Sequence, residues 1–373
     1  MGDLKRALGL MSGTSMDGID VALIKTDGEA IVERGPSMTF PYDCEMRRLL
    51  VAAIADAKTL TQRGDRPGSL PHAERELTEH HAASVAAFLS KQGIKRDRID
   101  VIGFHGQTVL HRPDKALTIQ LGLGELLADL TRCLVVYDLR GADIAVGGQG
   151  APLVPVYHRA LAASLPQRPL AVVNIGGVAN VTWIGRDGRL IAFDTGPGNA
   201  LVDDWMMKTA GIAYDENGRT AAKGKVHEDV VHFYVNHSFF AHPPPKSLDR
   251  NAFFWDLVEG LSPEDGAATL TAFSAAAIAK AREHMPEEPE LWIICGGGRL
   301  NRTLMGMIAG RVHSAVVPAE AAGLNGDSIE AEAWAYMAVR SLKGLPITYP
   351  GTTGVSEPMT GGILAHPKQH LVH

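Results

Sequence analysis

The sequence has few cysteines and no long apolar run. Cys44, Cys133 and Cys295 form neither a CxxC pair nor a spacing typical of a metal site. Isolated cysteines are typical of a reducing compartment. No uninterrupted apolar stretch reaches about 18 residues, the length that a membrane helix needs, and the apolar run near the start is too short for a secretory signal. These absences predict a cytoplasmic protein that does not enter the membrane.

Two familiar nucleotide-binding signatures are also missing. No G-x-x-x-x-G-K-[ST] sequence occurs, which disfavours a P-loop NTPase, and no G-x-G-x-x-G follows the first predicted strand, which disfavours a Rossmann dehydrogenase. The formal net charge of -6 disfavours a nucleic acid or an anionic membrane as partner. A small-molecule ligand is therefore the better expectation, and the composition leaves a homodimer open.

Strand and helix patterns alternate along the 373 residues, a length that predicts two domains. The chain opens with a strand at Ala7–Met11, a glycine-rich turn, a second strand at 19–25 and a third around 30–32. Residues 170–194 repeat this design of strand, glycine turn and strand, which indicates an internal duplication, with two independent hairpins as the alternative. The last periodic helix is predicted at Asp327–Leu342, and the tail after Gly344 is predicted to be mostly irregular.

The turn at 12–18 has the residue types of a phosphate-binding loop. Glycine lets the backbone approach an anion, and the amide groups of such a turn then point at it. Asp17 adds a carboxylate that could reach a phosphate-bound Mg²⁺. Because Gly, Ser and Asp are also ordinary turn residues, a plain tight turn is an equal alternative. Further glycine turns at 176–177, 196–198 and 296–298 would form a nucleotide cleft if they converge on one ligand.

Asp194 is the strongest catalytic candidate. A predicted buried strand delivers it to a Gly-Pro-Gly turn, where a carboxylate could accept a proton from water or a hydroxyl. The alternative is a turn former or a helix cap. His105 and the polar residues after it could contact a sugar from a strand end, although a lone histidine there is more often structural.

Six segments in the expected order resemble the anhydro-N-acetylmuramic acid kinase family. They are GLMSGTSMDGID at 9–20, FHGQT at 104–108, AVGGQGAPLVP at 145–155, NIGGVAN at 174–180, FDTGPGN at 193–199 and CGGGRLN at 295–301. The resemblance implies the two-lobed α/β fold of actin, Hsp70 and the sugar kinases, with mixed sheets and with ATP and Mg²⁺ in a central cleft. It also implies phosphorylation of 1,6-anhydro-N-acetylmuramic acid on O6, coupled to hydrolysis of its 1,6 bond, in bacterial cell-wall recycling. On this basis we expect an N-terminal lobe at 1–140, joined by about 327–373, and a C-terminal lobe at 141–326.

The resemblance also implies roles for individual residues. Asp194 would be the general base, and Glu330 a second carboxylate, with an ordinary surface residue of the helix as its alternative. The residues expected to bind ATP, with Asp17 also on the metal, are Gly13, Thr14, Ser15, Met16, Asp17, Gly18, Ile19, Asp20, Gly176, Gly177, Gly296, Gly297 and Gly298. The residues expected to bind the sugar are His105, Gln107, Thr108, Arg140, Asn174, Gly196 and Asn199.

Two departures from the family pattern concern the substrate. Ala142 stands where the family commonly has a second arginine, so Arg140 or another group must bind the lactyl carboxylate. Residues 246–250 replace a more usual Ser-Thr-Gly-Arg run. A kinase for another anhydrosugar, such as levoglucosan, is therefore the enzymatic alternative, and a nucleotide-switched binding protein is the alternative from another class.

Overall fold

The computed structural model describes residues 3–13, 15–250 and 252–368, which form two compact units. The first unit contains the chain up to Ala163 and again from Ser328 onward, and the second runs from Ser164 to Asp327. The predicted lobe boundaries at 140/141 and 326/327 stay a prediction.

The strands and helices follow each other along the chain. The strands are β1 (Lys5–Ser12), β2 (Gly18–Thr26), β3 (Val32–Pro41), β4 (Val101–Arg112), β5 (Leu117–Leu121), β6 (Val135–Tyr137), β7 (Leu170–Ile175), β8 (Val178–Ile184), β9 (Leu190–Pro197), β10 (Leu291–Cys295), β11 (Ala315–Pro318) and β12 (Ile363–Ala365). The helices are α1 (Cys44–Ala57), α2 (Leu70–Gln92), α3 (Gly124–Thr131), α4 (Gly141–Ala145), α5 (Pro155–Ala162), α6 (Ala200–Ala210), α7 (Glu228–Val235), α8 (Pro263–Lys280), α9 (Arg302–Ala309), α10 (Ile329–Leu342) and α11 (Pro350–Thr353).

Each unit is built on a mixed sheet of the same design. In the first unit the strands lie in the order β12-β6-β4-β1-β2-β3, with β5 paired to β4, and in the second in the order β11-β10-β7-β8-β9. The first three strands of each unit form an antiparallel meander, and the next central strand is parallel to the first of them. The α/β class with mixed sheets is confirmed, and the shared topology supports the predicted duplication.

Helix α10 packs on the first sheet through close backbone contacts. A Cβ on Gly9 of β1 would lie 1.7 Å from the carbonyl oxygen of Ala331, and one on Gly103 of β4 would lie 2.0 Å from that of Trp334. Only glycine permits this approach, because no shift of a side chain could relieve a clash with backbone. The start of α10, which carries Glu330, therefore rests against the strands that lead into the predicted site.

One prediction about local structure was wrong: the third strand is Val32–Pro41 rather than the segment around 30–32. The described part of the tail after Gly344 is mostly irregular, as predicted, and contains the short elements α11 and β12. Among the described residues, no helix has the length and apolar character that a membrane crossing requires.

Candidate active site

The glycine-rich turn of the first unit joins β1 to β2. The Met16 N–H donates to the Gly13 carbonyl (3.1 Å), and Ser15 Oγ donates to Asp17 Oδ1 (2.8 Å). Met16 has a left-handed backbone (φ 53°), which is costly for a side chain of this type and is concentrated at functional sites. A Cβ on Gly13 would have Ser15 Oγ, at 3.4 Å, as its nearest contact. The fold therefore does not require glycine at this position and leaves room there for a ligand.

The remaining residues predicted for this loop differ in their surroundings. Thr14 lies outside the described residues. A Cβ on Gly18 would come 2.5 Å from a carbonyl oxygen of β3, so strand pairing explains that glycine. Ile19 is buried in the core, and Asp20 accepts a hydrogen bond from a threonine of β3 (2.5 Å). These three residues of β2 thus have partners within the sheet.

His105 and Arg140 form one cluster with Trp334 of α10. Arg140 donates from Nε (3.3 Å) and Nη2 (3.1 Å) to His105 Nε2, and from Nη1 to the Gly150 carbonyl (2.7 Å). The Trp334 ring lies 4.4 Å from the His105 ring and 5.1 Å from Arg140 Cζ. Burial and the charge of Arg140 hold the pKa of His105 well below its usual value, so the imidazole is neutral. Burial lowers the pKa of Arg140 to about 10, which keeps it a cation at neutral pH.

Glu330 is exposed on the first turn of α10, near enough to Arg140 that its charge opposes the effect of burial on the pKa of the arginine. Glu332, two residues further on, is fully buried. It accepts hydrogen bonds from Arg34 Nε (3.0 Å to each oxygen) and from the Tyr157 hydroxyl (2.7 Å). Since a buried carboxylate is tolerated only when it is paired in this way, these bonds fix the helix start that carries Glu330. The sequence analysis did not identify Glu332.

Gln107 and Thr108, also predicted to bind the sugar, make contacts inside the first unit. Gln107 is fully buried, and its Oε1 accepts a hydrogen bond from Ser12 Oγ (2.6 Å). Thr108 Oγ1 accepts one from Gln120 Nε2 (3.2 Å). The acceptor oxygen of Gln107 is therefore already in use within the fold.

A pocket of about 120 Å³ lies beside His105, with Arg63, Tyr137 and Asp138 in its wall. Arg63 Nη2 donates to Asp138 Oδ1 (2.5 Å), and Asp138 has a left-handed backbone (φ 52°). Asp138 was not among the predicted site residues, although, like Asp194, it is an aspartate at the end of a buried strand, β6.

The three glycine-rich turns of the second unit lie together. The Gly198 N–H donates to the Gly177 carbonyl (2.8 Å), and the Asn199 N–H donates to the Gly176 carbonyl (2.8 Å). A Cβ on Gly297 would have Asn199 Nδ2, at 3.9 Å, as its nearest contact. The turns that follow β7, β9 and β10 therefore meet around Asn199.

Some of these glycines are not required by the fold. A Cβ on Gly176 would have its nearest neighbour at 3.7 Å and one on Gly177 at 3.6 Å, which are ordinary van der Waals distances. Gly297, with its neighbour at 3.9 Å, belongs with them. A larger side chain would fit at all three positions, so their bare backbone is available to a ligand.

Other predicted glycines are required by packing. Gly296 has a φ of 70°, and a Cβ there would lie 2.4 Å from Asn174 Oδ1. A Cβ on Gly298 would lie 2.3 Å from a side chain of β7, and one on Gly196, with a φ of 148°, would lie 2.8 Å from a side chain of α8. These residues shape the turns, and Gly296 brings Asn174 close to the backbone of the third turn.

Asp194 lies near the end of β9, largely buried, and is held by the segment that departs from the family pattern. Its Oδ2 accepts a hydrogen bond from the Leu248 N–H (2.7 Å), and its own N–H donates to the Lys246 carbonyl (3.0 Å). Burial raises the pKa of Asp194 to about 6, while the Leu248 N–H acts in the opposite direction. A carboxylate with such a pKa is charged at neutral pH yet is a stronger base than an ordinary aspartate.

Lys246 anchors that segment from its other side. Its Nζ donates to the carbonyls of Phe239 (3.0 Å) and Phe240 (3.3 Å) and contacts His284 Nε2 (3.2 Å). Burial, with a smaller effect from Lys280, lowers the pKa of Lys246 to about 8. The sequence analysis noted this segment only as a departure, because nothing in its local pattern indicates that it packs on β9.

Comparison with known proteins agrees with the resemblance. A family model described as anhydro-N-acetylmuramic acid kinase matches residues 5–367. The anhydro-N-acetylmuramic acid kinase of Agrobacterium fabrum is 53% identical over 370 residues, which cover 98% of this chain and 99% of the relative. The kinase of the same name from Azorhizobium caulinodans is 56% identical over 369 residues, covering 97% and 99%. A solved ROK family glucokinase from Streptomyces griseus, in complex with glucose and AMPPNP, is 13% identical in an alignment that covers 90% of this chain and 99% of the glucokinase. Its TM-score of 0.39 is too low for the likeness to bear on function. The chain belongs to the anhydro-N-acetylmuramic acid kinase family.

Proposed function

We propose that this protein is an ATP-dependent kinase that hydrolyses the 1,6-anhydro bond of 1,6-anhydro-N-acetylmuramic acid and phosphorylates O6. The products would be N-acetylmuramic acid 6-phosphate and ADP, an activity that recycles cell-wall sugars. The observation that carries the proposal is Asp194, a largely buried carboxylate with a raised pKa beside glycine turns. The names of the full-length relatives support the choice of substrate.

Asp194 would act as the general base. Its free carboxylate oxygen accepts a proton from a water molecule, whose oxygen forms a bond to the anomeric carbon while the bond from that carbon to O6 breaks. O6 then forms a bond to the γ-phosphorus of ATP, the bond from that phosphorus to the β,γ-bridging oxygen breaks, and ADP leaves. The proton taken by Asp194 returns to solvent. The Leu248 N–H holds the carboxylate in one orientation for this transfer.

The glycine turns supply the backbone groups that a nucleotide needs. Gly13, Gly177 and Gly297 leave room beside the main chain, and amide groups in such turns bind phosphate oxygens. Asp17, held by Ser15, would ligate Mg²⁺ together with the phosphates, which is how this ion is commonly bound. When bound, Mg²⁺ neutralises charge on the transferring phosphoryl group.

The His105 and Arg140 cluster would hold the sugar in the first unit. Arg140 carries, at neutral pH, the positive charge that the lactyl carboxylate requires, and its contact with Trp334 keeps the guanidinium in place. With this assignment, Arg140 takes the place of the second arginine that the family commonly has where this chain has Ala142. Glu330, exposed near Arg140, would bind a sugar hydroxyl or assist the proton transfer.

The decisive experiment offers a panel of 1,6-anhydrosugars with ATP in oxygen-18 water. We expect one ADP per sugar, oxygen-18 on C1 and phosphate on O6 with 1,6-anhydro-N-acetylmuramic acid. Turnover of levoglucosan alone would assign the other substrate. ATP hydrolysis that phosphorylates no sugar would favour the nucleotide-switched binding protein instead.

A further inference from the structure

The turn at Gly13–Asp17 is attached to the fold at both ends by one residue, Tyr42. At the end of the turn, the Tyr42 N–H donates to the Asp17 carbonyl (3.0 Å). At its start, the Tyr42 hydroxyl bonds to Ser12 Oγ (2.8 Å), on the last residue of β1. Tyr42 follows directly after β3, so the turn is tied to a strand outside its own hairpin.

The hydrogen bonds at Ser12 have a defined direction. A serine hydroxyl has one proton, and Ser12 donates it to Gln107 Oε1 (2.6 Å), so Tyr42 must donate to Ser12. Burial raises the pKa of Tyr42, which keeps that proton in place at any physiological pH. Ser12 and Gln107 are fully buried and Tyr42 nearly so, hence no water replaces a lost partner.

We infer that Tyr42, Ser12 and Gln107 are positioning residues that hold the nucleotide-binding turn in the conformation in which Met16 is left-handed. This inference rests on the proposed function and gives Gln107 a role that does not require contact with the sugar. The strained backbone of Met16 persists only if its surroundings hold it, and the two attachments of Tyr42 meet this need. Without the Tyr42 hydroxyl, only a fraction of the molecules holds the turn in the conformation that binds nucleotide. The apparent Kd for the nucleotide then rises in inverse proportion to that fraction.

The test is Tyr42→Phe, which keeps the ring and removes the hydroxyl. A matched control is Tyr234→Phe in the second unit, because Tyr234 is also a buried tyrosine and its hydroxyl donates to the Phe254 carbonyl (2.6 Å). Titration calorimetry with MgADP should give an about five- to tenfold weaker Kd for Tyr42→Phe, as expected for one lost buried hydrogen bond, and an unchanged Kd for Tyr234→Phe. The KM for the anhydrosugar should stay as in the wild type.

Ser12→Ala separates positioning from general stability. Adding Tyr42→Phe to Ser12→Ala should weaken MgADP binding no further, because both changes break the same chain of hydrogen bonds. Wild-type affinity in Tyr42→Phe, or an equal loss in Tyr234→Phe, would overturn the inference while leaving the kinase assignment intact. A wild-type protein that binds no nucleotide would overturn the proposed function as well.

Discussion

At the scale of single residues, the proposed role of Asp194 as general base predicts the pH dependence of the reaction. A general base must be unprotonated, and burial raises the pKa of this carboxyl to about 6. We expect log(kcat/KM) for the anhydrosugar to be level near pH 7 and to fall with a slope of one below about pH 6. The measurement is a pH series at constant ionic strength. A profile that stays level down to pH 5 would remove Asp194 from the role of base.

Replacing Asp194 with asparagine removes the proposed base and keeps the shape of the side chain. We expect kcat to fall by about 10²–10⁴-fold while ATP still binds, measured by steady-state kinetics and calorimetry. Asp187→Asn is the matched control, because Asp187 lies in the turn before the same strand and accepts a turn hydrogen bond that asparagine can also accept.

The Asp194→Asn variant should be at least as stable as the wild type. The raised pKa means that the folded state binds the Asp194 proton more tightly than the unfolded state does, so ionisation destabilises the fold as pH rises from about 4 to 6. Asparagine avoids that cost, and its melting temperature at pH 8 should equal or exceed that of the wild type. A large fall in the melting temperature would attribute the lost activity to unfolding instead.

At the scale of elements, the glycine turns fall into two classes that mutation can separate. Gly13→Val and Gly177→Ala should weaken nucleotide binding at unchanged stability, because a Cβ at either position meets protein atoms only at ordinary van der Waals distances and extends into the space proposed for the ligand. Gly296→Ala should instead destabilise the fold by about 1–3 kcal/mol, since its backbone is left-handed and Asn174 lies in the way. Gly64→Ala, in an open loop, is the control. Thermal melts and calorimetry distinguish the two classes, and equal behaviour of Gly177→Ala and Gly296→Ala would contradict the distinction.

The local pattern of apolar and polar residues predicted most helices and strands. It did not predict features that depend on contacts with residues elsewhere in the fold. The apolar run at Leu291–Cys295 coincides with β10 to the residue, because a buried strand is apolar throughout. Strand β3 was missed since Gly35 and Pro36 lie inside it, which only an edge strand tolerates. Ser328 stands at the N-cap of α10, where serine is a common capping residue, yet its hydroxyl donates to the buried Glu332 (2.8 Å). Glu332 is itself held by Arg34 and Tyr157, which lie far away in the chain.

The candidate site was predicted in the same uneven way. The sequence identifies Gly13, Asp194 and the turn at 296–298, because each is a strand end with an uncommon composition. Tyr42 and Leu248 carry no such signal, since one acts through a hydroxyl and the other through a backbone N–H that every residue except proline has. Supporting contacts of this kind become visible only when the strands are placed side by side.

At the scale of the whole molecule, Mg²⁺ should stabilise the protein only when it binds together with the nucleotide. Within residues 3–13, 15–250 and 252–368, no group of three or more His, Cys, Asp or Glu side chains is arranged to hold a metal ion. One aspartate with water is a weak Mg²⁺ site, whereas phosphate oxygens complete it. Mg²⁺ alone should therefore leave the melting temperature unchanged, and MgATP should raise it.

The size of that shift follows from linkage. MgATP at about 100 times its Kd should add about 2.7 kcal/mol to the free energy of unfolding. EDTA should abolish turnover reversibly without lowering the melting temperature of the ligand-free protein. Asp17→Asn should reduce the rise in melting temperature with MgATP more than the rise with ATP in EDTA. Only the binding of MgATP uses the Asp17 carboxylate as a ligand of the ion. An EDTA-induced fall in the melting temperature would instead indicate a resident metal that supports the fold.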